Sequence, residues 1–354
     1  MAQGQKGSAQ VGLAWHEHLD FQLDVLKLAA PVLERIPGRT SHPRMPAPTY
    51  RAGLIGNRKS HRNKTAGKLR APSGSGSELL VRHPQSIAAL TEALIDFANA
   101  GIELLIVDGG DGTVRDVITC AAQTFPDGVP QIAVVPAGKT NALAQDLGIP
   151  HNWTVEDALR AQRQGKLVER APLEIVRAGS QMPALKGFLF GAGAFVRATS
   201  LAQRTHKMGA FNNLAVGVSL AAAIGQTMFG GEQNDWRRGE AMRIGRDGQL
   251  VHDHFYLLLA SALNSLPMGL KPFGSLESDL RLLAIDAPPR KVLSSLRPLL
   301  FGSDDPLLAR HGYHRMGVDA FDLELDSGFI LDGELYHGGA FTVRRGTPLR
   351  FVVP

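Results

Sequence analysis

The chain has 354 residues, of which 44% are hydrophobic, and a formal net charge of +5. This length and composition predict a soluble globular protein with a large core and about two domains. Its one cysteine, Cys120, excludes a disulfide framework and a cysteine-based metal site. The basic balance fits an anionic partner. No secretory signal is visible at the N-terminus, so we expect a cytoplasmic protein.

The first half of the chain predicts an α/β domain. Residues 1–48 form an N-terminal extension whose end is dense in proline and is typical of a linker. Within residues 49–165, the apolar stretches "YRAGLIGN", "IELLIVD" and "QIAVVP" predict strands, and "PQSIAALTEALIDFANAG" predicts a helix that ends at Gly101. Short apolar strands that alternate with helices predict a parallel sheet covered on both faces.

The second half predicts a β-rich domain, residues 166–354, with many short strand-like runs and turn pairs such as Asp247-Gly248. We expect an antiparallel sheet domain and leave open whether its last strand returns to the first domain. The apolar segment 208–231 contains asparagine, glutamine and several glycines, which favours a buried or interfacial helix over a membrane span. Two unlike domains create a cleft, where ligands usually bind.

The stretch "LLIVDGGDGTVRD", residues 104–116, surrounds Asp111 with glycines between a predicted strand and a predicted helix. Glycines there let the backbone approach a polyphosphate, while the carboxylate reaches a magnesium ion or a donor hydroxyl. The alternative is a tight turn without a ligand, because glycine and aspartate are common in turns. The position between strand and helix favours the phosphate interpretation.

A second turn, in "VVPAGKTNALAQDLG", formally fits a relaxed phosphate-loop pattern. We do not favour that match, because the strand and the stiff Pro136 leave too few flexible residues for a loop. A phosphate-contacting turn from Gly138 to Asn141 fits better. For Lys139, contact with a phosphate and simple solvation stay as equal alternatives.

Two further segments carry charge. After the first strand, residues 57–64 hold four basic side chains and a histidine, which predicts either an anion-binding loop or a solvated one. No aromatic residues interleave these charges, so nucleic acid is not indicated. Near the end, "FILDGELYHG" brackets a glycine with Asp332 and Glu334, which predicts a general base and a magnesium ligand or an ordinary hairpin turn.

In this order, the motifs resemble the diacylglycerol, sphingosine and ceramide lipid kinase family. The resemblance covers residues 50–354, and its most specific parts are GGDGT at 109–113, PAGKTNALA at 136–144, GAGAFV at 191–196 and LDGE at 331–334. It implies an ATP-binding α/β domain related to NAD kinase and phosphofructokinase, followed by a β-sandwich that holds the lipid. It also implies transfer of the γ-phosphate of ATP, with Mg²⁺, to a lipid hydroxyl.

Carried over by position, the resemblance assigns a role to each motif residue. Asp332 is the expected general base and Glu334 its metal-binding neighbour. Whether Asp111 or Asp332 accepts the hydroxyl proton stays open. The expected nucleotide-binding residues are Asn57, Gly109, Gly110, Asp111, Gly112, Thr113, Gly138, Lys139 and Asn141.

The sequence also departs from the family in places. Arg58 and Lys59 follow Asn57 where Pro and a small residue are usual, and "ESDL" stands near residues 277–280 where a magnesium segment is expected. The segments "PAG" and "NALA" resemble the sphingoid side of the family, so a ceramide or sphingoid substrate is preferred over diacylglycerol.

Two alternative functions are left open. One is a soluble-metabolite kinase of the NAD kinase type, which shares GGDGT, and the other is a non-catalytic nucleotide or lipid sensor. A lipid substrate and the absence of a span together predict peripheral association with a membrane, through basic surface and the segment 208–231. A homodimer is left open.

Overall fold

The computed structural model describes residues 51–58, 60, 78–199, 235–246 and 249–354. The N-terminal extension and the apolar segment 208–231 lie outside the described residues. Strands and helices are numbered below in chain order within the described part.

The first domain is built on a six-stranded sheet with the order β2-β1-β3-β4-β17-β5. All neighbours pair in parallel except β17 and β5. The interior strand β3 is buried along its whole length, as its unbroken apolar run predicts. The strands are β1 Arg51–Gly56, β2 Glu78–Arg82, β3 Leu104–Gly109, β4 Gln131–Pro136, β5 Leu167–Arg170 and β17 Leu349–Val352.

Four helices accompany this sheet, and their ends follow local sequence signals. Ser86 caps the first helix by accepting from the amide of Ala89, and Thr154 and Asp157 form a capping box at the fourth. Gly165 ends the fourth helix in the left-handed conformation, at φ +72°. The helices are α1 Ile87–Asn99, α2 Asp111–Thr124, α3 Ala142–Asp146 and α4 Val155–Gln164.

Among the residues described, the second domain contains eleven strands, joined by antiparallel pairs into one sheet whose main path is β15-β14-β8-β10-β9-β13-β16-β6-β7. Strands β11 and β12 extend from β10. The strands are β6 Leu173–Arg177, β7 Leu185–Gly187, β8 Leu189–Gly193, β9 Glu240–Arg246, β10 Gln249–Ser261, β11 Arg281–Asp286, β12 Tyr313–Gly317, β13 Ala320–Leu325, β14 Phe329–Leu331, β15 Glu334–Tyr336 and β16 Gly339–Arg345. Three short helices join them, α5 Asp235–Arg238, α6 Val292–Leu300 and α7 Leu307–Arg310.

This antiparallel sheet curls back on itself. The rings of Phe190 on β8 and Phe321 on β13 are 6.3 Å apart, although three strand spacings separate their strands in the sheet order. A flat sheet would place those strands about 14 Å apart, because neighbouring strands lie about 4.8 Å apart. The two halves therefore face each other across an aromatic core, and the predicted antiparallel β domain is confirmed.

The two domains are joined by packing and by chain connection. The last strand, β17, lies in the first sheet between β4 and β5. Thr119 on α2 exchanges hydrogen bonds with the backbone of Lys186 on β7, at 3.0 and 3.3 Å. One continuous hydrophobic core extends through both domains. Along the described stretches of chain, no helix is both long and apolar enough to cross a membrane.

Candidate active site

Asp111 lies at the point where β3 gives way to α2. Gly110 is the cap of α2 and Asp111 is its first residue. The carboxylate accepts a hydrogen bond from the amide of Leu143 at 3.2 Å, which ties it to the start of α3. Burial raises the pKa of Asp111, and the amides of Ala142 and Leu143 oppose that rise. The carboxyl group is therefore held at the junction of two helix starts.

The glycines beside Asp111 allow the two predicted phosphate-contacting turns to pack backbone against backbone. A Cβ atom on Gly110 would lie 2.9 Å from the Cα atom of Gly138, and one on Gly138 would lie 2.6 Å from the Cα of Gly110. Neither position has space for a side chain. Gly112 differs, because a Cβ there would have no neighbour closer than 3.7 Å. Close packing therefore explains why Gly110 and Gly138 are glycines. It does not explain Gly112.

Asn141 holds the second turn closed. Its side chain accepts from the amide of Gly138 at 2.8 Å and donates to the carbonyl of Gly138 at 2.9 Å. Its backbone is left-handed, at φ +51°, a conformation that asparagine tolerates better than most residues. Lys139, two residues earlier, is exposed at the tip of the turn. The structure therefore places Asn141 inside the turn and Lys139 outside it.

Asn57 lies beside the GGDGT turn. Its amide nitrogen Nδ2 donates to Oγ1 of Thr113 at 2.9 Å, and its backbone amide donates to the carbonyl of Asp108 at 3.0 Å. A cleft of about 280 Å³ opens here. Its lining includes Asn57, Arg58, His83, Ser86, Thr113 and Asp116. Of the predicted basic loop 57–64, only residues 57, 58 and 60 are described, so the other charges lie outside the described residues.

Asp332 sits in the turn between β14 and β15 with a left-handed backbone, at φ +46°. Its carboxylate accepts from the amides of Phe188 at 3.1 Å and Leu189 at 2.9 Å. A Cβ atom on Gly187 would lie 2.6 Å from Oδ2 of Asp332, so glycine there leaves room for the carboxylate. The residues that lead into β8 thus bind the carboxylate of Asp332 and leave space for it.

The protonation of Asp332 is strongly affected by its surroundings. The pKa of Asp332 is raised to about 7: burial and, to a smaller extent, the charge of Asp111 raise it, while Arg115 and the amides of Phe188 and Leu189 lower it. The interaction with Asp111 means that the carboxylates from the two domains lie within electrostatic range of each other. The structure thus brings together the two candidate catalytic residues from opposite ends of the chain.

Arg115 connects the two domains beside these carboxylates. It lies one turn after Asp111 on α2 and is 6% exposed. Its guanidinium donates to the carbonyl of Leu331 at 3.2 Å, pairs with Asp116 at 2.7 Å, and lies 5.6 Å from the ring centre of Tyr336. Sequence reasoning missed Arg115, although its i, i+4 spacing from Asp111 places both on one face of a helix.

Glu334 is exposed at the start of β15, opposite Leu331 in the hairpin. In the part of the chain that the structure describes, no group of three or more His, Cys, Asp or Glu side chains is arranged for a metal ion. The oxygen donors of Asp111, Asp332 and Glu334 are nonetheless of the type that magnesium prefers, and nucleotide phosphates usually complete such sites. The donor chemistry therefore fits Mg²⁺, with the phosphates as partners.

Comparison with known proteins relates the first part of the chain to a kinase family. Residues 51–173 match the model of the diacylglycerol kinase catalytic domain. The probable lipid kinase YegS of Shigella flexneri and that of Escherichia coli O1:K1 are each 32% identical over 68 residues. That alignment covers 19% of this chain and 22% of each relative, so it spans less than a quarter of these relatives.

Solved structures extend the similarity to the whole fold. A candidate diacylglycerol kinase from Bacillus anthracis strain Sterne superposes with a TM-score of 0.61 at 17% identity. A diacylglycerol kinase from the same strain gives 0.57 at 16% identity. Each superposition covers 86% of this chain and 97% of the other. The match over residues 51–173 therefore relates that part of the chain to the diacylglycerol kinase catalytic domain, and the solved structures show that the fold is shared.

Proposed function

We propose that the protein is an ATP-dependent lipid kinase that transfers the γ-phosphoryl group to a hydroxyl of a membrane lipid. One observation carries the proposal: Arg115, on the helix that begins at Asp111, donates to the carbonyl of Leu331 at 3.2 Å, immediately before Asp332 of the second domain. A carboxylate near the acceptor hydroxyl, facing a phosphate-binding turn, is the arrangement that phosphoryl transfer requires.

Asp332 is the proposed general base. A group whose pKa lies at about 7 is well matched to proton transfer at neutral pH. In the proposed step, the lipid oxygen bonds to the γ-phosphorus while the bond from that phosphorus to the β,γ-bridging oxygen breaks. The hydroxyl proton passes to the carboxylate of Asp332, and ADP leaves. Asp111 is the alternative acceptor of this proton. Its position at the glycine turn favours a role closer to the phosphates.

The nucleotide is proposed to lie along the glycine turns. The segment Gly109 to Thr113, with Asn57 beside it, would line the path from the 280 Å³ cleft toward Asp111. Gly138, Lys139 and Asn141 would border the phosphates from the second turn, with Lys139 as the exposed cation. Glu334 and Asp111 would hold Mg²⁺, which would neutralise charge on the transferring group.

The proposed acceptor is a ceramide or a sphingoid base, because the sequence of residues 136–144 resembles the sphingoid side of the family. Diacylglycerol is the second candidate. We also infer that the first domain is of the NAD kinase and phosphofructokinase type. The parallel sheet, with GGDGT at the carboxyl end of β3, supports that inference.

The test is transfer of labelled phosphate from γ-labelled ATP, with magnesium, to ceramide, sphingosine and diacylglycerol in mixed micelles, and to NAD in solution. We expect a labelled lipid and no labelled NAD. Labelled NAD alone would favour the soluble-metabolite kinase. Binding of ATP without transfer to any acceptor would favour the sensor.

A further inference from the structure

Exposed large hydrophobic side chains are concentrated in one region of the second domain. Among the described residues, five such side chains are exposed, and four of them lie between residues 268 and 307. These four are Met268, Leu293, Phe301 and Leu307, with exposed fractions of 67%, 67%, 68% and 47%. The fifth, Met182, is 51% exposed and lies between β6 and β7. We call the four residues the apolar face.

The segments that carry the apolar face are packed together. The amide of Lys271 donates to the carbonyl of Leu300 at 2.8 Å, which joins the loop after Met268 to the end of α6. Oγ of Ser295 on α6 lies 3.3 Å from Nδ1 of His311, which follows α7. The inner residues Phe273, Leu299 and Leu308 share one small hydrophobic cluster. The segments that carry the outer residues are therefore held together.

On α6, the exposed residues follow helical spacing. Leu293, Arg297 and Phe301 are four residues apart, so they line one side of the helix and its end. This side therefore carries two apolar groups with one long basic side chain between them, whose end can reach lipid phosphates.

Basic side chains surround the apolar face. Lys271, Arg290, Lys291, Arg297 and Arg310 are all exposed. The two acidic residues between positions 290 and 310 are engaged with the protein. Asp304 accepts from the amide of Ser275 at 3.2 Å, and Asp305 accepts from the amide of Leu307 at 2.9 Å. Within residues 290–300, which include α6, every charged side chain is basic, so the α6 part of the apolar face complements an anionic surface.

The apolar face also borders the first domain. The amide of Ser265, three residues before Met268, donates to Oδ1 of Asp146 at 2.6 Å. Asp146 ends α3, the helix that the second glycine turn opens. The loop that leads to Met268 is therefore attached to the first domain.

We propose that the apolar face inserts into the surface of an anionic membrane, with the surrounding lysine and arginine side chains at the lipid phosphates. This inference rests on the proposed lipid kinase function, since it names the surface through which the enzyme meets its substrate. Large apolar side chains that are exposed together usually mark an interaction site.

The experiment uses the full chain and vesicles of phosphatidylcholine, with or without phosphatidylglycerol. The double variant Leu293→Glu, Phe301→Glu should raise the apparent Kd for anionic vesicles at least about tenfold, since each apolar group stops being buried in lipid. Leu293 is in the first turn of α6, where an acidic residue suits the helix dipole, so folding should be kept. The matched control Met182→Glu should change the Kd less than about twofold.

A charge variant tests the second part of the proposal. Arg290→Gln with Arg297→Gln should weaken binding to anionic vesicles and flatten its dependence on salt, whereas the exposed Arg350→Gln should not. Wild-type affinity of the double glutamate variant for vesicles would overturn the proposal. So would a wild-type dimer in solution that this variant converts to a monomer, because the apolar face would then be a subunit interface.

Failure of this surface and failure of the kinase function give different results. Vesicle binding is measured without ATP and decides the surface alone. A double glutamate variant that phosphorylates a soluble short-chain lipid normally but loses activity on vesicles supports both proposals. Vesicle binding through the face without phosphorylation of any lipid refutes only the kinase. Full activity of the variant on vesicles refutes only the surface.

Discussion

The guanidinium of Arg115 donates a hydrogen bond to the backbone carbonyl of Leu331 at 3.2 Å, across 216 residues of sequence. Arg115 lies on the helix that begins at Asp111, and Leu331 immediately precedes Asp332. The contact therefore joins the helix that carries Asp111 to the turn that carries Asp332. Arg115 also supplies positive charge beside Asp332, so one side chain affects both the position and the pKa of the proposed base.

Removal of that charge should shift the pH dependence of catalysis. In Arg115→Met the pKa of Asp332 rises, because the cation that lowers it is lost. The active form of a general base is the carboxylate, so the acidic limb of the kcat/KM profile should move to higher pH, by about half a unit to one unit. The variant should also lose about 1–3 kcal/mol of stability, since the Leu331 carbonyl and Asp116 lose a donor.

Arg115→Lys is the matched control for this prediction. It keeps the charge and removes the planar fork that bonds two partners at once. We expect its pH profile to stay near that of the wild type while its stability falls. Identical acidic limbs for the methionine variant and the wild type would show that Arg115 does not act on Asp332.

Asp332→Asn should separate activity from stability. The native state keeps a proton on Asp332 up to a pH of about 7, whereas the unfolded chain releases it near its ordinary pKa of about 4. Between these values the unfolded state binds fewer protons, so Asp332 makes the wild type less stable as pH rises. Asparagine accepts hydrogen bonds through Oδ1 and tolerates the left-handed backbone, but it carries no charge.

The stability of Asp332→Asn relative to wild type should therefore improve between pH 4 and pH 7, by at most about 1.4 kcal/mol per pH unit. Its turnover should fall by about two orders of magnitude or more. Urea unfolding across this pH range, with the exposed Asp127→Asn as control, measures the first effect. A constant difference in stability at all pH values would mean that Asp332 does not titrate as described.

Local sequence patterns predicted the elements of the first domain well. The apolar run at 131–136 becomes β4 with those bounds, and Gly101 follows α1 by two residues with a left-handed backbone, at φ +66°. Each of these features depends on neighbours in sequence, which is why propensity and periodicity reveal them. Strand β2 was not predicted, because "ELLVR" is short and follows a long glycine- and serine-rich stretch.

Contacts between residues that are distant in the sequence could not be predicted from it. Gly187 leaves room for Asp332 because the end of β7 packs against the turn that carries Asp332, and that turn comes about 140 residues later in the sequence. Likewise, the mutual contact of Gly110 and Gly138 explains glycines that the sequence attributed to phosphate approach alone. Such requirements arise from tertiary packing, and no local pattern encodes them.

Substitutions at two glycines should distinguish packing from ligand contact. Gly138→Ala places a Cβ atom 2.6 Å from the Cα of Gly110, and backbone cannot yield easily, so we expect about 1–3 kcal/mol of destabilisation. Gly112→Ala meets nothing closer than 3.7 Å within a helix, so it should be neutral or stabilising by about 0.5–1 kcal/mol.

The same pair of variants tests the nucleotide site. If the phosphates lie against Gly112, the added methyl group of Gly112→Ala should raise the KM for ATP while the Tm stays at or above that of wild type. Thermal unfolding and ATP kinetics on both variants provide the check. A Gly112→Ala enzyme with unchanged KM for ATP would place the phosphates elsewhere.

Asp111→Asn should lose activity while keeping its fold. The hydrogen bond from the amide of Leu143 ends on Oδ1, and an asparagine oxygen can accept it in the same way. Turnover should drop by about two orders of magnitude or more, because the charge that handles metal or proton is gone. Near-wild-type turnover, with circular dichroism unchanged, would remove Asp111 from the proposed mechanism.

Lys139→Ser tests the arrangement of the second turn. Lys139 is exposed at its tip, where an ammonium group near the ATP phosphates would contribute charge-assisted contacts of about 1.5–3 kcal/mol, or roughly ten- to a hundredfold in ATP affinity. We therefore expect the variant to raise the KM for ATP and to leave that for the lipid nearly unchanged. Asn141, which closes the turn from inside, should keep the variant folded. A change confined to the lipid KM would put this turn on the lipid side of the cleft, and unchanged values for both would mean that Lys139 contacts neither substrate.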